Sequence, residues 1–320
     1  MWSETSRRNF LAGLGAAIAA SAMPARGLPA SGPFKISILS DEISQDLGRA
    51  LEVAAREFGL GWIELRELWN KNVLRLDAKE VGEARRLLER YRLRVSAIAS
   101  PLFKVDWPGA PVSKYSPRRD QFSADFTFEQ QDEVLERALE LARTFTTDRV
   151  RCFDFWRLED PALYRAGMDD KLREAARKAG RRKVTLVLEN EYACNTATGG
   201  EAARTLDAVR SPYLKLTWDP GNAAFRGETP YPDGYARLPK DRIGHVHCKD
   251  VVRKPDGTCE WAAMGQGLID FVGQFRALRR DGYRNAVTLE THWRGAGTPE
   301  ASSRQCWAGM KNQLLQAGAL

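Results

Sequence analysis

Val184-Thr-Leu-Val-Leu-Glu189, Tyr213-Leu-Lys-Leu-Thr-Trp-Asp219, Ile243-Gly-His-Val-His247 and Ala286-Val-Thr-Leu-Glu290 share one pattern. Each is an apolar run of strand length that ends in a side chain able to ligate a metal. Two glutamates, an aspartate and a histidine suit one divalent cation. Their strand-end rhythm is what a parallel β/α barrel produces, because the active sites of (β/α)8 barrels lie at the C-terminal ends of the strands.

Working outward from these four, apolar and β-branched runs recur along the rest of the chain with helix-period segments between them. Strands are expected near 34–39, 61–66, 93–99, 148–153, 184–189, 213–218, 242–247 and 285–290. Helices are expected near 44–58, 77–91, 127–145, 163–180, 199–210, 268–281 and 300–316. The Pro/Gly-rich link Thr229-Pro-Tyr-Pro-Asp-Gly234 leaves room for only a turn or two between strands six and seven. Eight alternating units imply one α/β domain, a single (β/α)8 TIM barrel over residues 31–320. Pro101 to Ser123 follows strand three on the catalytic face. Loops longer than about 12–15 residues are usually functional, which makes this one a candidate lid.

Residues 1–30 read differently. Ser6-Arg-Arg-Asn-Phe-Leu-Ala12 leads into an apolar run to Ala22, and small residues and prolines follow. This is the form of a twin-arginine signal peptide, removed after Ala22, Ala25 or Ala30, and it implies the twin-arginine export machinery as a partner and an exported or periplasmic destination. The run is shorter than the roughly 20 residues needed to span a bilayer, so no stable membrane span is expected in the mature form. Loss of Arg7, Arg8, Arg26 and Glu4 takes the formal net charge from +7 to +5. Lys and Arg lie mostly on amphipathic helices beside acidic neighbours, the pattern of a solvated face and not of a nucleic-acid footprint. Cys152, Cys194, Cys248, Cys259 and Cys306 are odd in number and scattered, so they form neither a zinc ribbon nor a disulfide framework.

The candidate metal ligands are therefore Glu189, Asp219, His247 and Glu290, for Mn²⁺, Mg²⁺, Co²⁺ or Zn²⁺. The competing reading has the three carboxylates as helix caps or partners of nearby cations. His245 and His247 alternate on one strand and share a face. His247, nearer the C-terminal end, is the better ligand, and His245 packs behind it; Cys248 points outward. Glu189 and Glu290 stand on opposite sides of the barrel mouth, where each could take or return a carbon-bound proton while the cation polarises a carbonyl and steadies an enediolate. Further candidates for substrate contact are Lys249, Glu64, Arg66, Trp107, Trp156 and His292, with Lys104 at the start of the lid. Each has an alternative: Lys249 pairing with Asp250, Glu64 and Arg66 forming a rim salt bridge, the tryptophans packing, His292 solvated.

Leu188-Glu-Asn190, Trp218-Asp-Pro-Gly-Asn222, His245-Val-His-Cys-Lys-Asp250, Gly265-Gln-Gly-Leu-Ile-Asp270 and Val287-Thr-Leu-Glu290 resemble the xylose isomerase-like TIM-barrel superfamily. The branch they resemble is the sugar-phosphate isomerase/epimerase group with its ketose 3-epimerases. The resemblance implies that Glu189, Asp219, His247 and Glu290 hold the metal and that the two glutamates are the acid/base pair. It implies a substrate-contacting role for Arg253. Asn222 stands where those epimerases carry a substrate-binding histidine, and Gln266 where they often carry a glutamate. Three functions are in contention: a metal-dependent isomerase or epimerase of a sugar or keto-sugar, a 3-keto-glycoside lyase or hydrolase using the same ion, and a non-catalytic carbohydrate-binding barrel. An apurinic-site endonuclease shares the barrel but needs a histidine-rich zinc cluster, and this chain has three histidines.

Overall fold

The computed structural model describes residues 32–116 and 124–320. The twin-arginine segment, residues 1–30, and the end of the candidate lid, residues 117–123, lie outside the described residues. Eight parallel strands form the sheet: β1 (Lys35–Ile38), β2 (Trp62–Leu65), β3 (Arg94–Leu102), β4 (Arg149–Cys152), β5 (Thr185–Glu189), β6 (Leu214–Trp218), β7 (Ile243–Cys248) and β8 (Ala286–Leu289). Their spatial order is β1-β8-β7-β6-β5-β4-β3-β2, and a parallel bridge between Leu39 and Glu64 joins the two ends into a barrel. All eight expected strands are present. Only β3 differs materially: it runs to Leu102, so Pro101, expected in the loop, lies in the strand.

The helices wrap the outside: α1 (Leu47–Glu52, continued by a wider turn through Glu57), α2 (Ala78–Tyr91), α3 (Gln131–Thr144), α4 (Arg165–Arg181), α5 (Gly199–Val209), α6 (Pro220–Phe225), α7 (Phe271–Arg280) and α8 (Pro299–Gln316). Several of their N-termini are fixed by capping side chains. Asp77 with Glu80 and Thr198 with Glu201 form capping boxes, while Thr298 caps α8 with Pro299 in the first turn. Apolar stripes such as Val134, Leu135, Ala138, Leu139 and Ala142 on α3 are buried against the strands. Each fully buried Leu, Val or Ile contributes about 1.5–3 kcal/mol, which is what presses the helical ring onto the barrel. No helix among the described residues is long and apolar enough to cross a membrane.

The strand ends are tied together at the catalytic face. Asn190, just past β5, donates to the Asp219 carbonyl (2.8 Å) and accepts from the Asp219 amide (2.7 Å). A hairpin, Asp250–Arg253 against Cys259–Ala262, rises from the end of β7. Asp250 anchors it by accepting backbone N–H bonds from Val251, Gly265, Gly267 and Ile269. Residue 267 must be glycine, because a Cβ there would come within 2.0 Å of the Asp250 carboxylate. The five cysteines are free, and Cys248 lies in the apolar core as expected.

Candidate metal centre

Glu189 closes β5, Asp219 and Glu290 follow β6 and β8 directly, and His247 lies near the end of β7. One ligand atom from each lies within 4.8 Å of the others, and all four residues are buried. His247 Nδ1 faces Glu189 Oε1 at 3.3 Å, Glu290 Oε2 at 3.4 Å and Asp219 Oδ2 at 4.0 Å. Asp219 divides its oxygens. Oδ1 caps α6 by accepting from the Asn222 amide at 2.9 Å, leaving Oδ2 buried without an aligned hydrogen-bond donor. Asp219 is thus both helix cap and centre-facing carboxylate. Asp219 Oδ2, which faces the Lys249 ammonium at 2.8 Å, makes with two further carboxylates and an imidazole nitrogen a donor set that fits a hard or borderline divalent cation.

A ring of buried partners aims these groups. His247 Nε2 lies 3.2 and 3.3 Å from the two Glu64 oxygens, which assigns Nδ1 to the centre. Glu64 is shared with His245, whose Nε2 lies 2.7 Å from Oε2 and 3.0 Å from Thr288 Oγ1. Arg151 donates to Glu189 Oε2 at 3.1 Å and Asn222 to Glu189 Oε1 at 3.2 Å. Arg66 donates to Glu290 Oε1 at 2.8 Å, and also to Asp41 and Glu42.

The charges set the protonation. Burial alone would push Glu189 up, but His247 and Arg151 overcome it and bring its pKa down to about 2. Glu290 is held well below the carboxylate range, burial again being outweighed by Lys249, His292 and His247. Asp219 goes the other way, to about 6, through burial and the neighbouring Glu189 and Glu290, with Lys249 opposing. Burial lowers His247 less than Glu64, Glu189 and Glu290 raise it, so it lies well above its ordinary value. Both strand-end glutamates are therefore ionised near neutrality.

The other candidates fall in different places. Lys249 is brought into the cluster itself, 2.8 Å from Asp219 Oδ2, and Asp250 is instead taken up by backbone amides. Glu64 and Arg66 are buried behind the ligands, Glu64 bonded to the two histidines and Arg66 to acids on other segments, so the expected polyol-facing or rim pair is corrected to two braces. His292 stands at the mouth, its Nε2 3.3 Å from Glu290 Oε1 and its ring edge-on to Trp261 at 4.9 Å. Trp107 packs edge-on against Phe128 and Phe155 over Gly167, in the apolar core and not at the centre. Trp156 packs with Phe153 and Cys194, and Lys104 lies over the Phe153 and Trp156 rings. Arg253 is exposed in the hairpin ladder opposite Cys259. The part of the candidate lid described here is tied down through Tyr115, whose hydroxyl accepts from Arg226 at 2.8 Å.

Sequence reading passed over Arg151, Asp41, Glu42 and the aromatic group Tyr192, Phe225 and Trp261. In that group Phe225 and Trp261 have ring centres 4.2 Å apart. The strand reads Arg149-Val-Arg-Cys152, and an arginine inside a barrel strand was the available signal for Arg151. The signal for Asp41 and Glu42 was the same carboxylate-after-strand pattern seen in the second half. The aromatic group comes from the loop after β5, the end of α6 and the hairpin after β7, and left no local pattern.

Residues 53–311 match the family model described as the xylose isomerase-like TIM barrel, and the chain belongs to that family. It is 24% identical, over 59% of its own length and 68% of the relative's, to a putative L-ribulose-5-phosphate 3-epimerase, SgbU, of Escherichia coli (strain K12). Among solved structures it is similar to the probable 3-DHS dehydratase AsbF of Bacillus anthracis, with a TM-score of 0.65 and 18% identity over 88% of this chain and 98% of that one. It is also similar to the IOLI protein with a bound zinc atom, with a TM-score of 0.66 and 16% identity over 89% and 98%. At these identities the structural likenesses establish the fold.

Proposed function

We propose that this chain is a divalent-metal-dependent isomerase or epimerase of a sugar or keto-sugar. One observation carries the reading: carboxylates from β5 and β8 flank the same His247 nitrogen at 3.3 and 3.4 Å, each held by its own arginine. Glu189, Asp219, His247 and Glu290 would hold the cation. When bound, the cation supplies Lewis-acid polarisation of a carbonyl. One of Glu189 and Glu290, ionised, would take the proton from the adjoining carbon on one face, and the other, protonated, would deliver one to the opposite face, the pair being reset by proton exchange with solvent. Asn222 steadies Glu189 through its amide, and Arg66 and Arg151 fix the carboxylate directions so that proton transfer costs little reorganisation. The Tyr192–Phe225–Trp261 surface and His292 bound the space above the centre and offer a sugar ring an apolar face with a polar edge. Arg253 keeps the substrate-contacting role that the family resemblance gives it, and residues 1–30 direct the folded enzyme out of the cytoplasm.

Likeness to the putative L-ribulose-5-phosphate 3-epimerase SgbU supports the substrate class, and the zinc atom bound by the IOLI protein supports a metal in a barrel of this fold. The test is incorporation of solvent deuterium next to the carbonyl of ketoses and 3-keto-glycosides, with Mn²⁺, Co²⁺ or Mg²⁺ added and removed. Metal-dependent exchange with an epimeric or isomeric product is expected. Release of an aglycone instead would assign the lyase reaction to the same centre. Binding of sugar without exchange would leave a carbohydrate-binding barrel.

A further inference from the structure

Lys249 is the one member of the cluster that neither ligation nor proton transfer uses. It follows His247 by two residues and is 3% exposed. Its Nζ lies 2.5 Å from Glu290 Oε2, 2.8 Å from Asp219 Oδ2 and 3.8 Å from Glu189 Oε1. Those three oxygens belong to the three carboxylates of the candidate metal centre, so the ammonium sits at the point on which they converge. A cation bonded to the same oxygens at about 2.0–2.6 Å would overlap it.

The fold makes room for this placement. Gly221, two residues past Asp219, lies directly over the lysine stem. A Cβ there would come within 2.7 Å of Lys249 Cγ and 2.8 Å of the Lys249 carbonyl oxygen. The segment Trp218-Asp-Pro-Gly-Asn222 therefore supplies both a carboxylate and the clearance that lets the lysine reach it. Asp250, clamped by four backbone amides, fixes the chain just beyond. Three buried carboxylates this close repel one another strongly in a low-dielectric site unless a cation stands among them. In this same position Nζ also lies 5.2 Å from the Trp261 ring, so the aromatic wall is within cation–π reach of the ammonium.

We propose that Lys249 is a tethered cation that holds the three-carboxylate centre together in the metal-free protein, and that a divalent ion enters only by displacing its ammonium. The inference rests on the metal-centre reading given under Proposed function. It gives metal loading a second consequence: the displaced ammonium moves toward the aromatic wall of the pocket and becomes available to a substrate oxygen.

The experiment is calorimetric titration of the metal-free full chain with Mn²⁺, for the wild type, Lys249→Met, Lys249→Gln and Lys249→Arg, with thermal melts in EDTA and in Mn²⁺. Both neutral variants should bind Mn²⁺ at least about tenfold more tightly than wild type, since close desolvated charges couple by at least that much. Lys249→Arg, which keeps the charge, should not. In EDTA the neutral variants should melt below wild type, and Mn²⁺ should raise their melting temperature by more than it raises that of wild type. Two neutral variants keep the test alive if one fails to fold. If wild type and the neutral variants bind Mn²⁺ equally, or the variants bind more weakly, the competition is overturned while the metal centre stands. If no form, wild type included, binds Mn²⁺, both the metal-centre reading and the competition fall.

Discussion

Strands β5 to β8 bring Glu189, Asp219, His247 and Glu290 to one point, whereas β1, β2 and β4 bring Asp41, Glu42, Glu64, Arg66 and Arg151 to a shell around it. The second half of the barrel presents the groups that would touch a cation and a substrate. The first half presents none of those four, yet it fixes three of them: Arg151 holds Glu189, Glu64 holds His247 and Arg66 holds Glu290. A parallel barrel makes this division cheap, because closure sets β2 beside β1 and so within reach of β8 without any long connection. The comparison also says where function is expected to be fragile. Damage to the second half should remove chemistry, and damage to the first half should remove geometry and stability.

The largest effect expected is on the reaction itself. Glu189→Gln and Glu290→Gln should each slow solvent-deuterium exchange by about 10²–10⁴-fold, the usual weight of a positioned acid or base, with the protein still folded by circular dichroism. A residual rate near wild type in either variant would reduce the pair to a single catalytic carboxylate. Next comes the first-half brace. Arg66→Met leaves Asp41, Glu42 and Glu290 converging without their shared guanidinium, and breaking a buried pair on one side costs about 3–5 kcal/mol. A urea titration reads it directly. An unchanged midpoint would show that the first half does not brace the site.

Smaller again is Glu64→Gln, which keeps the shape but weakens the hold on His247 Nε2. Loss of a partner behind a metal ligand typically lowers metal affinity about 10–100-fold, measurable by Mn²⁺ titration. The smallest effect expected is at the aromatic wall. Trp261→Ala should raise KM for a sugar substrate by about two- to tenfold, in line with the 0.5–1.5 kcal/mol of an aromatic contact, and should change Mn²⁺ affinity by no more than about the same factor, through the lost cation–π contact of the Lys249 ammonium. A larger metal defect with an unchanged KM would mean that Trp261 supports the centre and not the substrate.

The same division explains what could be read in the sequence. The eight strands were legible because apolar runs of strand length recur at barrel spacing, and the four second-half strand ends stood out because each closes such a run with a ligating side chain. The pairings of the first half are long-range: Arg66 and Glu290 are 224 residues apart, Glu64 and His245 181. Nothing local distinguishes an arginine that will meet a glutamate across the barrel from one on its rim, which is why Glu64 and Arg66 read as a mutual pair. Trp107 and Trp156 read as sugar platforms because any loop tryptophan near strand ends does. Their actual neighbours, Phe128 and Phe155 for one and Phe153 and Cys194 for the other, come from elements that only the folded barrel places beside them. Lys249 was ambiguous for a related reason, since its reach into the carboxylates depends on the space left by Gly221 in the first turn of α6.

The most direct test of the central claim is metal content. Purified protein, with His247→Ala alongside, would be analysed by plasma mass spectrometry as isolated and after incubation with Mn²⁺ and removal of the excess. About one divalent ion per chain in the wild type, lost in the variant, is the expected result. Wild-type protein that retains no metal even after Mn²⁺ would contradict the account and leave the four strand ends as a polar sugar-binding pocket.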